Sequence, residues 1–253
     1  MLQQKPDHPY AREMAANCYM FASELAQGRG EDPEPFLRKP MDLLEPAVKE
    51  NPQFLWGLND LSTAYAVLGM FLQSKGQATS RSAFERSLEY AGKAMALDAT
   101  YLTPIQNSLF IWSRLVSTAK SEVDLKQILI QADHFYAKCM KINDKYQQCN
   151  VNHLLVYSRA AQRMTEGGLD PHAQLARVFQ IQDQITKLGG SFLDAEQHSA
   201  LAHYLDAREK LSKGQSPGDA LTEVDRALKK CFAQADKDAM CRTIAAQTEW
   251  IKS

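Results

Sequence analysis

Five cysteines offer the most chemistry in this chain, and four of them are regularly placed. Cys139 and Cys149 have nine residues between them, and Cys231 and Cys241 repeat that spacing 92 residues later. If each pair straddles the turn between two antiparallel helices, one helical turn to either side, a disulfide comes within reach. Such a bond needs alpha carbons closer than about 7 Å. Two bridges imply an oxidising compartment and so a domain outside the cytoplasm. In the competing reading the thiols are free, the compartment is cytoplasmic, and cysteine takes the place of a small residue such as Ala47 or Ala94. Cys18 is left over and is expected to be buried.

Nothing else in the chain has the spacing of a reaction centre. The six histidines are scattered, and His198 and His203 are five apart, a poor spacing for one helix face. The chain holds no C-x-x-C, no H-E-x-x-H, no metal-binding carboxylate cluster and no G-x-S-x-G nucleophile turn. The expectation is a non-enzymatic protein without metal or cofactor. With 29 basic and 30 acidic residues the net charge is −1, which gives no electrostatic reason to expect nucleic acid or an anionic membrane as partner. No apolar run approaches the roughly 18–20 residues of a membrane span, and the first residues do not read as a signal peptide. Apolar residues make up 45% of the chain, enough for a continuous core.

What must position these residues is a repeat. Gly30, Gly76, Gly168 and Gly214 are separated by 46, 92 and 46 residues, one 46-residue beat with a unit skipped near Glu122. Three of them open the phrase G-x-x-P-x-x-x-L: Gly30 to Leu37, Gly168 to Leu175 and Gly214 to Leu221. Glycine suits the left-handed residue that ends a helix, Asp or Ser before Pro caps the next one, and Pro fits its first turn. Gly76 opens a looser copy with Ser80 or Ser82 as cap, and the third unit offers Ser121 and Asp124 instead. Phe54, Tyr101, Tyr146 and Phe192 keep the same beat and close each unit.

Apolar residues at three and four spacing, such as Leu58, Leu61, Tyr65 and Leu68, predict helices throughout. Helix A of each unit is expected at 10–27, 55–75, 104–119, 149–165 and 195–212. Helix B is expected at 34–51, 82–97, 124–142, 172–188 and 218–233, with a last helix at 239–251. The units are 10–54, 55–101, 102–146, 147–192, 193–238 and a partial 239–253, in one domain spanning 1–253. The chain begins and ends inside this pattern, so a piece of a longer protein is expected. Of the aromatic residues, Tyr10, Tyr19, Phe21, Phe110, Trp112, Tyr157 and Tyr204 are expected mostly in the core.

These units resemble the tetratricopeptide repeat. The second carries Leu58, Leu61, Ser62 and Tyr65 on helix A and Ser87, Ala91, Ala94 and Met95 on helix B. The first closes on Ala47, Val48 and Pro52, the third carries Ala132, Tyr136, Cys139 and Met140, and the fifth carries Ala220, Val224, Ala227 and Leu228. The fourth, around Val178 and Ile185, fits poorly. An ordinary unit has about 34 residues; the longer unit with its G-x-D-P turn is similar to the repeat region of some bacterial serine/threonine protein kinases.

The resemblance implies an all-α superhelical solenoid of antiparallel helix pairs whose helix A residues line a concave groove. The sixth position of helix A, often Asn in that family, falls at Asp60, Asn107, Asn152 and His198, flanked by Trp56, Asn59 and Gln106. The implied function is a protein- or peptide-binding scaffold or sensor, such as the regulatory part of a bacterial signalling kinase. In the other reading of the ladder, Asn107 and Asn152 satisfy buried backbone or each other. The alternative function is a small-molecule binder with a pocket enclosed by the repeats.

Overall fold

The structure is a computed structural model that describes residues 8–190 and 192–252; residues 1–7, 191 and 253 of the expected repeat domain lie outside the described residues. The glycine phrase sets its punctuation. Gly30, Gly76, Gly168 and Gly214 all have positive φ, between 67° and 72°. At each, the next residue's N–H bonds back across the helix end, Glu31 to Ala26 O at 2.8 Å and Leu169 to Met164 O at 2.8 Å. The glycine's own N–H reaches the carbonyl three residues back, closing a Schellman turn that satisfies two orphan carbonyls. Two residues on, Asp32 Oδ1 accepts from Glu34 N at 3.1 Å and Asp170 Oδ1 accepts from His172 N at 3.0 Å. The phrase thus ends one helix and caps the next.

Twelve helices result among the described residues. Those of the helix A kind are α1 (Pro9–Gly28), α4 (Leu55–Ser74), α6 (Leu102–Val116), α8 (Gln147–Glu166) and α10 (Leu193–Ser212). Those of the helix B kind are α2 (Glu34–Leu37) with α3 (Lys39–Glu50), α5 (Ser80–Leu97), α7 (Glu122–Ile142), α9 (His172–Lys187) and α11 (Gly218–Gln234). A last helix, α12, covers Ala239–Lys252. The fold is an all-α helical repeat of paired helices.

Four expectations need correction. The first helix B is not continuous. Pro40, which has no N–H to continue the ladder, breaks it at Arg38 into α2 and α3. Neither Ser80 nor Ser82 caps α5; its N-cap is Thr79, without a side-chain bond, and Ser80 N bonds to Gln77 O at 3.1 Å. Cys18 is exposed, not buried. Tyr10, Tyr19 and Phe21 on α1 are exposed rather than in the core; α1 packs on α2, α3 and α4 through Ala11, Ala16, Ser23 and Ala26. The third unit does cap as its sequence suggests: Ser121 Oγ accepts from Asp124 N at 3.1 Å, and Asp124 Oδ2 accepts in return from Lys120 N at 2.8 Å.

The chain forms two compact units, Met1–Leu115 and Val116–Ser253. In the first, α1 packs on α3 and α4, α3 on α4, and α4 on α5. Leu44, Leu61 and Phe84 are fully enclosed there. Close approach depends on Gly69 of α4, where a Cβ would stand 2.6 Å from the Phe84 ring on α5. In the second unit α8 packs on α7, α9 and α10, and α10 packs on α9, α11 and α12. Its core is formed by Leu154, Leu175, Val178, Ile181 and Leu205. The fourth repeat, poor as a motif, buries its helix B through Leu175, Val178, Ile181 and Ile185. Each such side chain contributes about 1.5–3 kcal/mol by leaving water.

Candidate functional site: helix A faces and the stapled junctions

The junctions between helix B and the next helix A come first, because the cysteines lie there. Cys139 on α7 is joined to Cys149 on α8, and Cys231 on α11 to Cys241 on α12, each pair with alpha carbons 6.6 Å apart. All four are buried. The same two positions in the first two units hold Ala47 with Gly57 and Ala94 with Pro104. The fourth repeat holds Ile185 with Ala195 there, so the site is a buried helix contact filled by apolar residues or by a bridge. Asp238 offers an oxygen within 4.8 Å of the second sulfur pair, in the manner of a metal triad. Its Oδ1 already accepts from Cys241 N at 2.8 Å and its Oδ2 from Gln197 Nε2 at 2.8 Å. A metal would need both sulfurs as thiolates, so the carboxylate acts as the cap of α12 beside a disulfide.

The sixth-position residues fall on their helices as the beat requires, with different surroundings in the two units. In the first, Trp56 is 49% exposed and packs edge-on against Tyr101 at 5.6 Å. Asn59 is buried, while Asp60, Gln106 and Asn107 are half-buried. Asp60 accepts from Asn17 Nδ2 at 3.1 Å and from Asn59 Nδ2 at 3.3 Å. In the second unit, Asn152 and His198 are both buried. Asn152 accepts from Gln148 at 3.2 Å, and His198 Nδ1 lies 2.6 Å from Ser158 Oγ on α8. Those two groups are bonded within the fold.

One residue of the ladder escaped the sequence reading. Glu13 precedes Asp60 by 47 residues, the spacing between Asp60 and Asn107, so extending the beat backwards would have found it. The Glu13 carboxyl is pushed up from its ordinary value by burial and by the neighbouring Asp60 charge, to which it hydrogen-bonds. Burial also raises Asp60, against hydrogen bonds from Asn17, Asn59 and Glu13 that favour its charged form. A proton shared by the pair therefore resides on Glu13. Both folded-state values lie above the unfolded ones, so the pair holds protons more tightly when folded. It favours folding at low pH and loses that contribution as pH rises from about 4 through the raised values. The melting temperature of Asp60→Asn relative to wild type is accordingly expected to be higher at pH 7 than at pH 4. An equal difference at both values would show that the pair does not titrate as described.

Two further clusters lie where a helix A meets the helices B on either side of it. Tyr65 on α4 donates to Glu45 on α3 at 2.5 Å, with the Arg86 guanidinium of α5 over its ring at 5.6 Å. Tyr157 on α8 donates to Asp133 on α7 at 2.9 Å, with Arg177 of α9 over its ring at 5.9 Å. The second cluster adds His153, fully buried, with Nε2 2.8 Å from Asp133 Oδ1 and its ring 4.0 Å from that of Tyr136. Burial holds the imidazole below its ordinary value against the pull of Asp133, so the ring is neutral and donates from Nε2. These repeated carboxylate–tyrosine–arginine contacts lock one unit to the next, and each carboxylate there has an arginine of the chain beside it.

Clefts in the second unit are open and carry charged side chains in their lining. One, of about 320 Å³, is lined by Glu122, Arg163 and Glu166 at the start of α7 and the end of α8. Another, of about 450 Å³, lies between Asp170, Arg208 and Lys213. Neither is an enclosed apolar chamber of the kind that holds a small molecule. Among the described residues no helix is long and apolar enough to cross a membrane.

No family model matches the chain, and no curated protein does. Among solved structures, a thermophilic TPR protein of Thermus thermophilus superposes with a TM-score of 0.52 over 93% of this chain and 99% of that one, at 19% identity. At that identity the likeness is one of fold. The repeats are built as tetratricopeptide-like helix pairs.

Proposed function

We propose that the chain is a protein-interaction module that holds an extended partner segment along the helix A face of its first unit. The observation that carries this reading is the row of polar side chains at one register of successive helices A: Glu13, Asp60 and Asn107, none of them fully buried. The exposed ring of Trp56 and the half-buried Gln106 stand beside it. An asparagine amide at such a position donates to and accepts from a peptide backbone at once. The second unit contributes differently. Its counterparts Asn152 and His198 are occupied within the fold, and its two bridges stiffen its own junctions.

The test is selection from a random peptide library against the whole chain. Selected peptides are expected to lose at least about tenfold in affinity on Asn107→Ala, the cost of one or two backbone hydrogen bonds. Undiminished binding to that variant and to Trp56→Ala would move the interaction off this face. The long unit with its G-x-D-P turn supports a finer reading, in which the array is the sensor or scaffold half of a bacterial signalling kinase. A catalytic or output domain in the adjoining coding sequence is then expected. The open, charged character of the clefts favours a peptide over a small-molecule ligand.

A further inference from the structure

We infer that Glu13, Asp60, Asn59, Trp56 and Tyr101 form a site for a cationic group, the guanidinium or ammonium of an arginine or lysine carried by the partner. The identity of the carrier rests on the groove reading above; the chemistry of the site does not.

Two carboxylates stand together on α1 and α4; among the described residues Asp60 accepts from Asn17 at 3.1 Å and Asn59 at 3.3 Å, and from Glu13 while the pair holds its shared proton. Asn59 is 7% exposed, its amide is held against Asp60, and its Oδ1 has no donor. With Glu13 ionised, the cluster is short of donors. A guanidinium brings five and an ammonium three, with no acceptor to conflict. Trp56 lies four residues before Asp60 and so on the same face of α4. Its half-exposed ring, edge-on to Tyr101 at 5.6 Å, offers a wall for the aliphatic stem and a π-face for the charge.

The rest of the chain supplies the contrast. In both carboxylate–tyrosine clusters between repeats, an arginine of the chain accompanies the carboxylate. Arg86 lies 3.5 Å from Glu45, and the Arg177 charge acts on Asp133. Among the described residues no lysine or arginine forms an ion pair with Glu13 or Asp60. The rung left without its own cation is also the one flanked by an exposed indole. An anionic partner segment would meet two carboxylates there and be rejected.

The probes are end-blocked pentapeptides, Gly-Gly-Arg-Gly-Gly and Gly-Gly-Gln-Gly-Gly, and the free diamine putrescine, titrated into the whole chain by calorimetry at low salt. The arginine peptide is expected to bind at least about tenfold more tightly than the glutamine peptide. Asp60→Asn, an isosteric change checked by its melting curve, is expected to abolish that preference, and Glu13→Gln to reduce it. Equal binding of the two peptides, or an undiminished preference in a folded Asp60→Asn protein, overturns the site. Putrescine binding as tightly as the arginine peptide, with the same loss on Asp60→Asn, keeps the cation site and removes the peptide groove. Library-selected peptides without basic residues that still depend on Asn107 keep the groove and overturn the cation site.

Discussion

A thiol reductant is expected to lower the melting temperature of residues 116–253 by roughly 10–20 °C and to leave that of residues 1–115 unchanged. Both bridges lie in the second unit, each closing a loop with a sequence separation of 10. Cross-links of that span restrict the unfolded chain by roughly 2.5–3 kcal/mol each. In a unit of this size one kcal/mol corresponds to about 2–4 °C or somewhat more. The reduced thiols would remain buried, and helix packing at the junctions would persist, as it does with alanine at Ala47 and Ala94. The loss is therefore of stability, not of fold. Calorimetric scans with and without reductant, paired with a free-thiol count on the unreduced protein, decide it. Counted in denaturant, one free thiol, Cys18, is expected before reduction and five after. Five free thiols beforehand would remove both the bridges and the argument for an oxidising compartment.

The second large effect is at the contact between α4 and α5. Phe84 is fully buried, with its ring edge against the Cα of Gly69. Phe84→Ala removes a whole ring from this core and is expected to cost roughly 3–5 kcal/mol. Gly69→Ala should also destabilise, although alanine is the better helix former by about 1 kcal/mol. The added methyl would lie 2.6 Å from a ring that has no room to retreat, and overpacking of that kind costs about 1–3 kcal/mol. The two substitutions should not add. With the ring gone, the Gly69→Ala methyl has space and its helix preference becomes a gain. Urea unfolding of the two single variants and the double variant measures this. A double variant as unstable as the sum of the singles would mean that the ring and the glycine do not share one contact.

The helices were legible because the signals that start and stop them are local. A glycine seven residues before a leucine, with Asp-Pro or Ser-Pro between, states a helix end and a helix start within one phrase, and each such phrase does both in the structure. Pro40 was missed: it stands in the first turn of α3, just past the break at Arg38, and the smooth apolar pattern across 34–51, with Pro46 carried inside the helix, concealed it. Tertiary neighbours were harder. Nothing in the spacing of Tyr10, Cys18 and Phe21 says that they stay exposed on α1. His198 stands at the register of the groove, yet Ser158, one unit earlier, takes its ring nitrogen. That partner lies 40 residues away in sequence and carries no motif. Glu13 was the opposite case: the same beat that located Asp60 and Asn107 reaches it in one further step.

The two stapled junctions also bear on how the array responds to load. When a helix pair is pulled apart, the chain between Cys139 and Cys149, and between Cys231 and Cys241, cannot be drawn out. About 35 Å of contour length is withheld at each bridge. The last turn of one helix thus stays beside the first turn of the next even after both have lost their hydrogen bonds. On release, these two corners need not be found again by search. The half of the chain that carries them would recoil to the same register, while the unbridged half would have to rebuild its corners from Ala47 with Gly57 and Ala94 with Pro104.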